Sequence, residues 1–502
     1  MKTPLPISNG FYVSDALPIS AQRCVNFKPN IPQADAVTAD NLFNTEGLIE
    51  IADLSNGNDF CRGAHVADGK PYLVIGNIIY RIDRAITDGV ESYSGVNLGT
   101  IAGEDRVYMA DNGSQLCICA PPDDLNAGAS YIVTLSDGTL TTITDPNFDG
   151  PASSVVYSDG FFIFSKANGK SFFNSSINDG LSYDALDFSQ AEADPDDIRV
   201  LGVNKSQLYV FGSETIQIFR NIGRSPAPYQ GIPGGVIDLG IFAPQTIKRY
   251  AGGLAFVGGA VDESPAVWMV SGGQKNKLST TAIDNELSKL TDNEVSNLFS
   301  WVYGESGSFF MGITTPTTTY VYDLTTSRWH ERQSVFGDSL TRYRSSHFVT
   351  AYGKLIAGDL QGGKVGILSE DEYLEYGVLV RRLVTSKPFD SMGNAVFLAS
   401  LEVVTENGVG LANDITVQTG EVNNVAQTAT GGADPQITLS WSDDGGRSFK
   451  GGLSRSMGKI GEYSKRQIWN RLGRFSRSRV IMLEVSSPTK ATIIKVEADI
   501  SG

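Results

Sequence analysis

The sequence has few cysteines, few histidines and no long apolar run. Four cysteines in 502 residues do not form a disulfide framework, which fits a reducing compartment, and three scattered histidines offer neither a Ser-His-Asp set nor a zinc site. No stretch approaches the roughly 18 consecutive apolar residues of a membrane-spanning helix. The first ten residues carry one lysine and no apolar run, so we expect no secretory signal there. We therefore expect no cofactor, no bound metal and no membrane insertion.

Positive charge is also scarce. The chain has 40 basic against 56 acidic residues, a formal net charge of −16. Such a balance argues against a protein that coats nucleic acid or an anionic membrane with its whole surface. It suits a surface past which nucleic acid slides without binding.

What the sequence does contain is glycine, at 54 residues, and a repeated hairpin of two apolar, β-rich runs joined by a turn. The copies begin at Lys70, Glu104, Ser153, Lys205, Arg249, Ser300 and His347. A hairpin unit that recurs every ~45–50 residues is typical of a β-propeller with four strands in each blade. We predict an all-β fold with a propeller of six or seven blades over residues 49–372. A stack of β-sandwiches is the alternative.

The flanks of this repeat differ from it. After residue 372, apolar and polar residues alternate, as in antiparallel strands with one buried face, which predicts a β-sandwich over residues 373–502. Residues 1–48 are rich in proline and asparagine and predict an extended N-terminal arm lying on other parts of the protein. Within the repeat, "TTAIDNELSKL" predicts a short helix packed on the propeller, because Ile283, Leu287 and Leu290 form one apolar stripe.

Two segments resemble the Asp box, a hairpin motif of sialidases and other propellers. They contain Ser442, Asp444, Gly446, Ser448 and Phe449, and at the same spacing Ser176, Asn178, Gly180, Ser182 and Tyr183. The Asp or Asn side chain can accept hydrogen bonds from the turn, glycine can take a positive φ, and the aromatic ring can anchor the turn. One copy lies in each predicted domain, so we interpret both as structural turns.

Sialidase chemistry is a poor fit. It uses a tyrosine nucleophile with acidic partners, and a carboxylate substrate calls for clustered arginines. The only arginines in residues 104–204 are Arg106 and Arg199. We therefore expect no catalytic residues, and keep a glycan-binding or sialidase-like propeller as the alternative function.

The C-terminal part contains a strongly basic run. Residues 447–479 carry a formal charge of +9, so the rest of the chain carries −25. This separation predicts contact between copies or with an acidic partner, while contact with DNA and a solvated charged face stay open. The candidate contacts to a subunit or adaptor are Lys465, Arg466, Arg471, Arg474, Arg477 and Arg479.

Several motifs resemble the packaged-DNA stabilisation proteins, also called tail hub or tail accessory proteins, of short-tailed bacteriophages. In "IWNRLGRFSRSRVIMLEVSSPTKATI" the similar positions are Trp469, Arg471, Gly473, Arg474 and Arg477. In "RVLGVNKSQLYVFGSETIQIFRNIG" they are Phe211, Gly212, Ser213, Thr215 and Ile216, with Gln217 where the family commonly has an acidic residue. The resemblance extends from about Arg23 to Ile493.

This resemblance implies a structural virion protein without enzymatic activity, located in the tail and assembled in the host cytoplasm. The implied assembly is a homohexameric ring, or nozzle, below the portal and the portal-adaptor protein. It would close the channel around packaged phage DNA, which passes without specific binding. It would also hold a tailspike or tail fibre and a needle or plug protein.

Overall fold

The computed structural model describes residues 2–501, except 56–59, 124–125, 192–195, 391–393 and 423–424. Its regular elements are almost all strands, as the hairpin repeat predicts. The N-terminal segment contains seven short strands: β1 (Lys2–Pro4), β2 (Tyr12–Val13), β3 (Ala21–Gln22), β4 (Cys24–Val25), β5 (Phe27–Asn30), β6 (Asn41–Asn44) and β7 (Gly47–Asp53). No helix in the described residues has the length and apolar character needed to cross a membrane.

Five four-stranded antiparallel sheets then follow along the chain, each with its strands in sequence order. The first three are β8 (Cys61–Ala67), β9 (Lys70–Ile75), β10 (Ile78–Thr87) and β11 (Val90–Thr100); β12 (Tyr108–Asp111), β13 (Gln115–Ala120), β14 (Ala129–Thr134) and β15 (Leu140–Thr142); and β16 (Ala152–Ser158), β17 (Phe161–Lys166), β18 (Ser171–Ser176) and β19 (Asp179–Gln190). The next two are β20 (Ile198–Asn204), β21 (Gln207–Gly212), β22 (Ile216–Asn221) and β23 (Tyr229–Ile237); and β24 (Gly240–Tyr250), β25 (Gly253–Gly259), β26 (Ala266–Ser271) and β27 (Gln274–Lys277).

Two short helices, α1 (Thr281–Ser288) and α2 (Asp292–Ser296), come next. Ile283 and Leu287 of α1 are buried against Val257 and Val267 of the fifth sheet, so the predicted propeller-packed helix is confirmed. Thr280 is its N-cap but makes no side-chain cap hydrogen bond, whereas Thr291 of α2 forms a complete capping box with Glu294.

Two further four-stranded units complete the ring. One consists of β28 (Phe299–Glu305), β29 (Ser308–Thr314), β30 (Thr319–Asp323) and β31 (Arg328–Phe336), to which β32 (Ser339–Arg342) adds a hairpin. The other consists of β33 (Ser345–Ala351), β34 (Lys354–Asp359), β35 (Lys364–Ser369) and β7 from the N-terminal segment. The first strands of all the units, β8, β12, β16, β20, β24, β28 and β33, lie side by side around one axis.

Among the described residues, five blades form separate four-stranded sheets, not the predicted six or seven. The two remaining units are hydrogen-bonded into larger sheets, because β31 continues through β4 and β7 continues through β36 (Leu374–Glu375). A repeat in the sequence gives the hairpins but does not show that a sheet extends past its fourth strand. Pairing of β7 with β35 also joins the ends of the propeller and leaves no open edge there.

The C-terminal domain is a β-sandwich, as predicted. Its remaining strands are β37 (Val378–Leu379), β38 (Arg382–Thr385), β39 (Phe389–Asp390), β40 (Val396–Thr405), β41 (Ile415–Val422), β42 (Val425–Gly431), β43 (Gln436–Ser442), β44 (Lys450–Ser456), β45 (Gln467–Asn470), β46 (Arg474–Phe475), β47 (Ser478–Val485) and β48 (Ile493–Ser501). One sheet has the order β45-β40-β48-β6-β5 and the other runs β4-β38-β47-β43-β44. Leu401 and Trp469 of the first sheet pack in one core with Ile437 and Leu483 of the second.

The predicted arm, residues 1–48, is built into both domains and does not simply lie on them. β1, β5 and β6 belong to the first sandwich sheet, while β4 pairs with β31 of the propeller and β38 of the sandwich. The guanidinium of Arg23, just before β4, binds the buried carboxylate of Glu331 in β31 at 2.6 Å. A continuous sheet therefore links the two domains through an N-terminal strand.

Candidate assembly surface

The basic run lies along one edge of the sandwich. β45 is the terminal strand of its sheet, and both β45 and β46 pair with β40. The turn between β45 and β46 is held by the backbone, since the Arg471 N–H donates to the Ala399 carbonyl at 2.8 Å. Arg471 has φ 58° and Gly473 has φ 81°, so the chain reverses tightly here and exposes the side chains around it.

Two of the predicted contact residues are exposed but already paired within the chain. Lys465 lies 3.4 Å from Glu462, and Arg466, 62% exposed, lies 2.8 Å from Glu402 of β40. Hydrogen bonds from Lys2 and then Arg466 lower the pKa of Glu402 below its usual value. An exposed pair such as Lys465–Glu462 contributes about 0–1 kcal/mol, so it can be exchanged for a contact with a partner at little cost.

Arg471 and Arg474 are the most available of the six. Both are exposed, and within the described residues neither guanidinium has a hydrogen-bond or ion-pair partner. Arg477 is exposed on the same segment. Together with Lys465 and Arg466, these residues form what we call the basic edge.

Arg479 does not belong to this edge, which corrects the prediction for that residue. Its side chain is 2% exposed. Its Nε and Nη2 donate hydrogen bonds to the Asp443 carboxylate at 2.6 and 3.1 Å. Nη1 donates to the Leu472 carbonyl and Nη2 to the Arg474 carbonyl. Burial opposes the charge on Asp443, but the hydrogen bonds from Arg479 and Lys450 outweigh it and lower the pKa of Asp443. Arg479 therefore holds the turn that presents the basic edge.

The turn after β43 has the hydrogen bonds expected of an Asp box. The Asp444 carboxylate accepts from the Ser442 hydroxyl at 2.6 Å and from the backbone N–H groups of Arg447 and Ser448 at 2.9 and 3.0 Å. Gly446 has φ 96° and donates its N–H to the Ser442 hydroxyl. The Ser442 hydrogen bond, followed by those from Ser448, lowers the pKa of Asp444 far below its usual value. All these bonds are internal to the turn.

This turn also contacts the N-terminal segment. A Cβ at Gly446 would lie 2.6 Å from Cβ of Ala21, and one at Gly445 would lie 3.0 Å from Pro18. Phe449 is half-buried at the end of the turn. These glycines thus allow the turn between β43 and β44 to approach the chain around β3.

The second copy, at 176–183, is a different turn. Asn178 has φ 57°, and its side-chain oxygen accepts a hydrogen bond from the Tyr157 hydroxyl of β16, in the same sheet, not from its own turn. Gly180 does not have a positive φ. Glycine is required there because a Cβ would lie 2.5 Å from the Ile132 side chain. Tyr183 does anchor the segment, since it is buried and its hydroxyl donates to the Gly180 carbonyl. Equal spacing of residue types did not give equal hydrogen bonding.

Sequence reasoning missed a buried ionic cluster where the N-terminal segment meets the propeller. Glu46, immediately before β7, binds Arg332 and Lys28, and its neighbour Glu305 lies in β28. Oxygens of Glu46, Glu305 and Glu370 lie within 4.8 Å of one another, but the Lys28 ammonium contacts two of these carboxylates and already supplies a cation. These residues are far apart in the sequence, so no spacing signals them.

Known proteins resemble both domains, in the same order. A family model described as bacteriophage P22 Gp10, β-propeller, matches residues 3–373, and one described as bacteriophage P22 Gp10, β-sandwich, matches residues 383–501. The tail hub protein gp10 of Salmonella phage P22 is 22% identical over 448 residues, covering 85% of this chain and 86% of that protein.

Solved structures resemble the chain more weakly. The extracellular domain of a hybrid two-component system from B. thetaiotaomicron has a TM-score of 0.42 at 12% identity and covers 77% of this chain and 47% of its own. The N-terminal domain of Nup159 has a TM-score of 0.39 at 11% identity and covers 70% of this chain and 99% of its own. Likenesses this low carry no argument about function.

Proposed function

Because the chain belongs to the bacteriophage P22 Gp10 family, we propose that it is a structural, non-enzymatic subunit of a phage tail hub. The observation that carries this proposal is that both domains match the family, in order and over nearly the whole chain. The proposed place is the virion tail, after assembly in the host cytoplasm. There the subunits would form a homohexameric ring, or nozzle, below the portal and its adaptor protein.

The distribution of charge supports assembly through the sandwich. Arg471 and Arg474 are exposed on a basic segment and have no partner among the residues that the structure describes, while the rest of the chain has a net negative charge. A ring needs two different surfaces that meet head to tail, and opposite charges on the two orient their encounter. We propose that the basic edge binds an acidic surface of the next subunit or of the adaptor protein.

The acidic remainder suits the proposed role of the channel. Each Lys or Arg contact with phosphate strengthens DNA binding, so a wall with few of them lets DNA pass. In this proposal the closed ring retains packaged DNA until ejection. Its outer surface anchors tailspikes or fibres, and its end holds a needle or plug protein.

Mass measurement of the purified chain, alone and with the adaptor protein of the same phage, combined with electron microscopy, tests this proposal. The expected result is a ring with a central channel in at least one of the two samples. A chain that stays monomeric with the adaptor present and binds sialylated glycans would instead support the glycan-binding alternative.

A further inference from the structure

Basic residues from three blades lie in or just before strands that line the axis of the propeller, and Arg106 is near enough to Arg342 and to Lys248 for their charges to interact. Arg106 lies two residues before β12, Arg342 lies at the end of β32 just before β33, and Lys248 lies in β24. A bulge in β24 brings that strand to Arg106, since Gln245 Nε2 donates to the Arg106 carbonyl at 3.5 Å. All three basic side chains are partly exposed, although strands of different blades surround them.

The Arg106 guanidinium is held in a fixed position. Its Cζ lies 3.5 Å from the centroid of the Phe299 ring at the start of β28, and Nη1 donates to the Ser346 hydroxyl of β33 at 2.8 Å. The Ser346 hydroxyl donates in turn to the Cys61 carbonyl of β8 at 2.7 Å. One N–H of the guanidinium is used in this way, and most of its five donors stay unused.

His347, which follows Ser346 in the chain, has a neutral imidazole ring. Because the single Ser346 proton goes to Cys61, His347 Nδ1, at 2.9 Å from the Ser346 oxygen, is the donor of that pair. Burial and then the charges of Arg106 and Lys248 hold the pKa of His347 well below its usual value. The positive charge in this region therefore comes from Arg106, Lys248 and Arg342.

These three charges lack the compensation found at the other enclosed arginines that the structure describes, where a carboxylate or at least two backbone carbonyl groups accept from the guanidinium. Arg62 and Arg382 are of the second kind and donate to carbonyl groups. Arg332 has Glu46, Arg344 has Asp359 and Arg479 has Asp443. Among the described residues, no carboxylate pairs with Arg106, Lys248 or Arg342.

Uncompensated charge in an enclosed site is costly, and the protonation equilibria reflect it. Burial, with the charge of Arg342, lowers the pKa of Arg106 to about 9. Burial and the charge of Arg106 lower the pKa of Lys248 to about 8. A bound anion would remove the repulsion.

We propose that Arg106, Lys248 and Arg342 form a binding site for a phosphate group near the axis of the propeller. Guanidinium groups match the oxygens of phosphate with paired donors, and the ammonium adds a third positive charge. Partial exposure of the three side chains provides access. The phosphate comes either from inorganic phosphate or from a phosphorylated small molecule. This proposal does not depend on the function proposed above.

Calorimetric titration of the full chain with inorganic phosphate and, separately, with ATP tests the site and distinguishes the two sources. The buffer is chloride at constant ionic strength, at a pH below the Lys248 pKa. We expect binding of at least one of the two at concentrations up to about 10 mM. The double variant Lys248→Met, Arg342→Met should bind at least about tenfold more weakly.

Lys170→Met is the matched control, because Lys170 is exposed in the turn between β17 and β18. It should bind as the unmodified chain does. The double variant should also have a higher melting temperature than the unmodified chain in phosphate-free buffer, since it removes two repelled charges, and this confirms that the variant folds. Absence of binding of both ligands to the unmodified chain, or equal binding by the double variant, overturns the proposal.

Discussion

Arg332 Nη2 lies 2.7 Å from Glu46 Oε2, and neither side chain is exposed to solvent. Glu46 stands at the end of the N-terminal segment and Arg332 in β31, so the pair fastens the start of the chain to the propeller. The Tyr303 hydroxyl also donates to Glu46, and Trp301 lies close to the guanidinium. Burial alone would raise the pKa of Glu46, but Arg332 and Lys28 hold it far below its usual value.

Glu46→Gln should destabilise the protein strongly. The substitution leaves the Arg332 charge buried without its counter-charge, which costs about 3–5 kcal/mol of unfolding free energy in comparable pairs. Urea denaturation followed by tryptophan fluorescence measures the loss. Glu50→Gln is the control, because the Glu50–Lys364 pair is exposed and should contribute less than about 1 kcal/mol. Similar stability of the two variants would show that the buried pair does not fasten the segment.

Glu305 should make the stability of the protein depend on pH. Burial first, and then the charge of Glu46, raises the pKa of Glu305 above its usual value. A carboxyl with a raised pKa in the folded state keeps its proton there after the unfolded chain has lost it. Stability should therefore fall as the pH rises from the ordinary range of glutamate through the raised pKa.

Glu305→Gln should remove this fall, because the amide does not titrate. Denaturation of both proteins at a series of pH values from mildly acidic to mildly alkaline measures the difference in slope. Identical slopes would mean that Glu305 ionises normally in the folded protein.

Arg471→Glu with Arg474→Glu should prevent assembly without unfolding the chain. Both side chains are exposed and unpaired among the described residues, so their replacement breaks no internal bond. Particle mass and electron microscopy, with the adaptor protein present, report assembly, and the melting temperature reports folding. The control is Lys170→Glu with Arg220→Glu, the same change of charge at exposed propeller positions.

Arg479→Met should behave differently from the edge variants. It leaves Asp443 without its main partner and frees the carbonyl groups of the turn, so it should lower the melting temperature of the sandwich.

Normal rings from the double Glu variant would contradict the role of the basic edge. An unchanged melting temperature for Arg479→Met would contradict the structural role of that residue.

The sequence predicted the propeller, the sandwich and the loop helix because each leaves a local pattern. Two apolar runs around a turn form a hairpin wherever they occur, and Ile283 and Leu287 share a face at helical spacing. It did not predict that β7 completes the last propeller unit or that β4 joins two sheets. Those pairings connect residues that are far apart in the sequence. The residues of a short strand do not indicate which distant strand it will pair with.

The candidate site was predictable only in part for a similar reason. Arg477 and Arg479 are two residues apart and equally basic, yet Arg477 is exposed and Arg479 lies under the turn with Asp443. Arg477 lies just before β47 and Arg479 within it, so which arginine is exposed depends on where the strand begins. Likewise, Asp444 and Asn178 occupy equivalent places in similar motifs, but the backbone around each decides which hydrogen bonds its side chain accepts.

Strands β4 and β7 leave the ribosome before the first five blades, whereas β31, β35 and β38, with which they pair, are made only after those blades. Strands β4 and β7 therefore lack their hydrogen-bonding partners until the last propeller unit has been synthesised. Synthesis of the propeller alone would leave β4 without β38, and synthesis of the sandwich alone would leave its sheets without β1, β5 and β6. The two halves of the molecule can be recognised separately but reach their final form together.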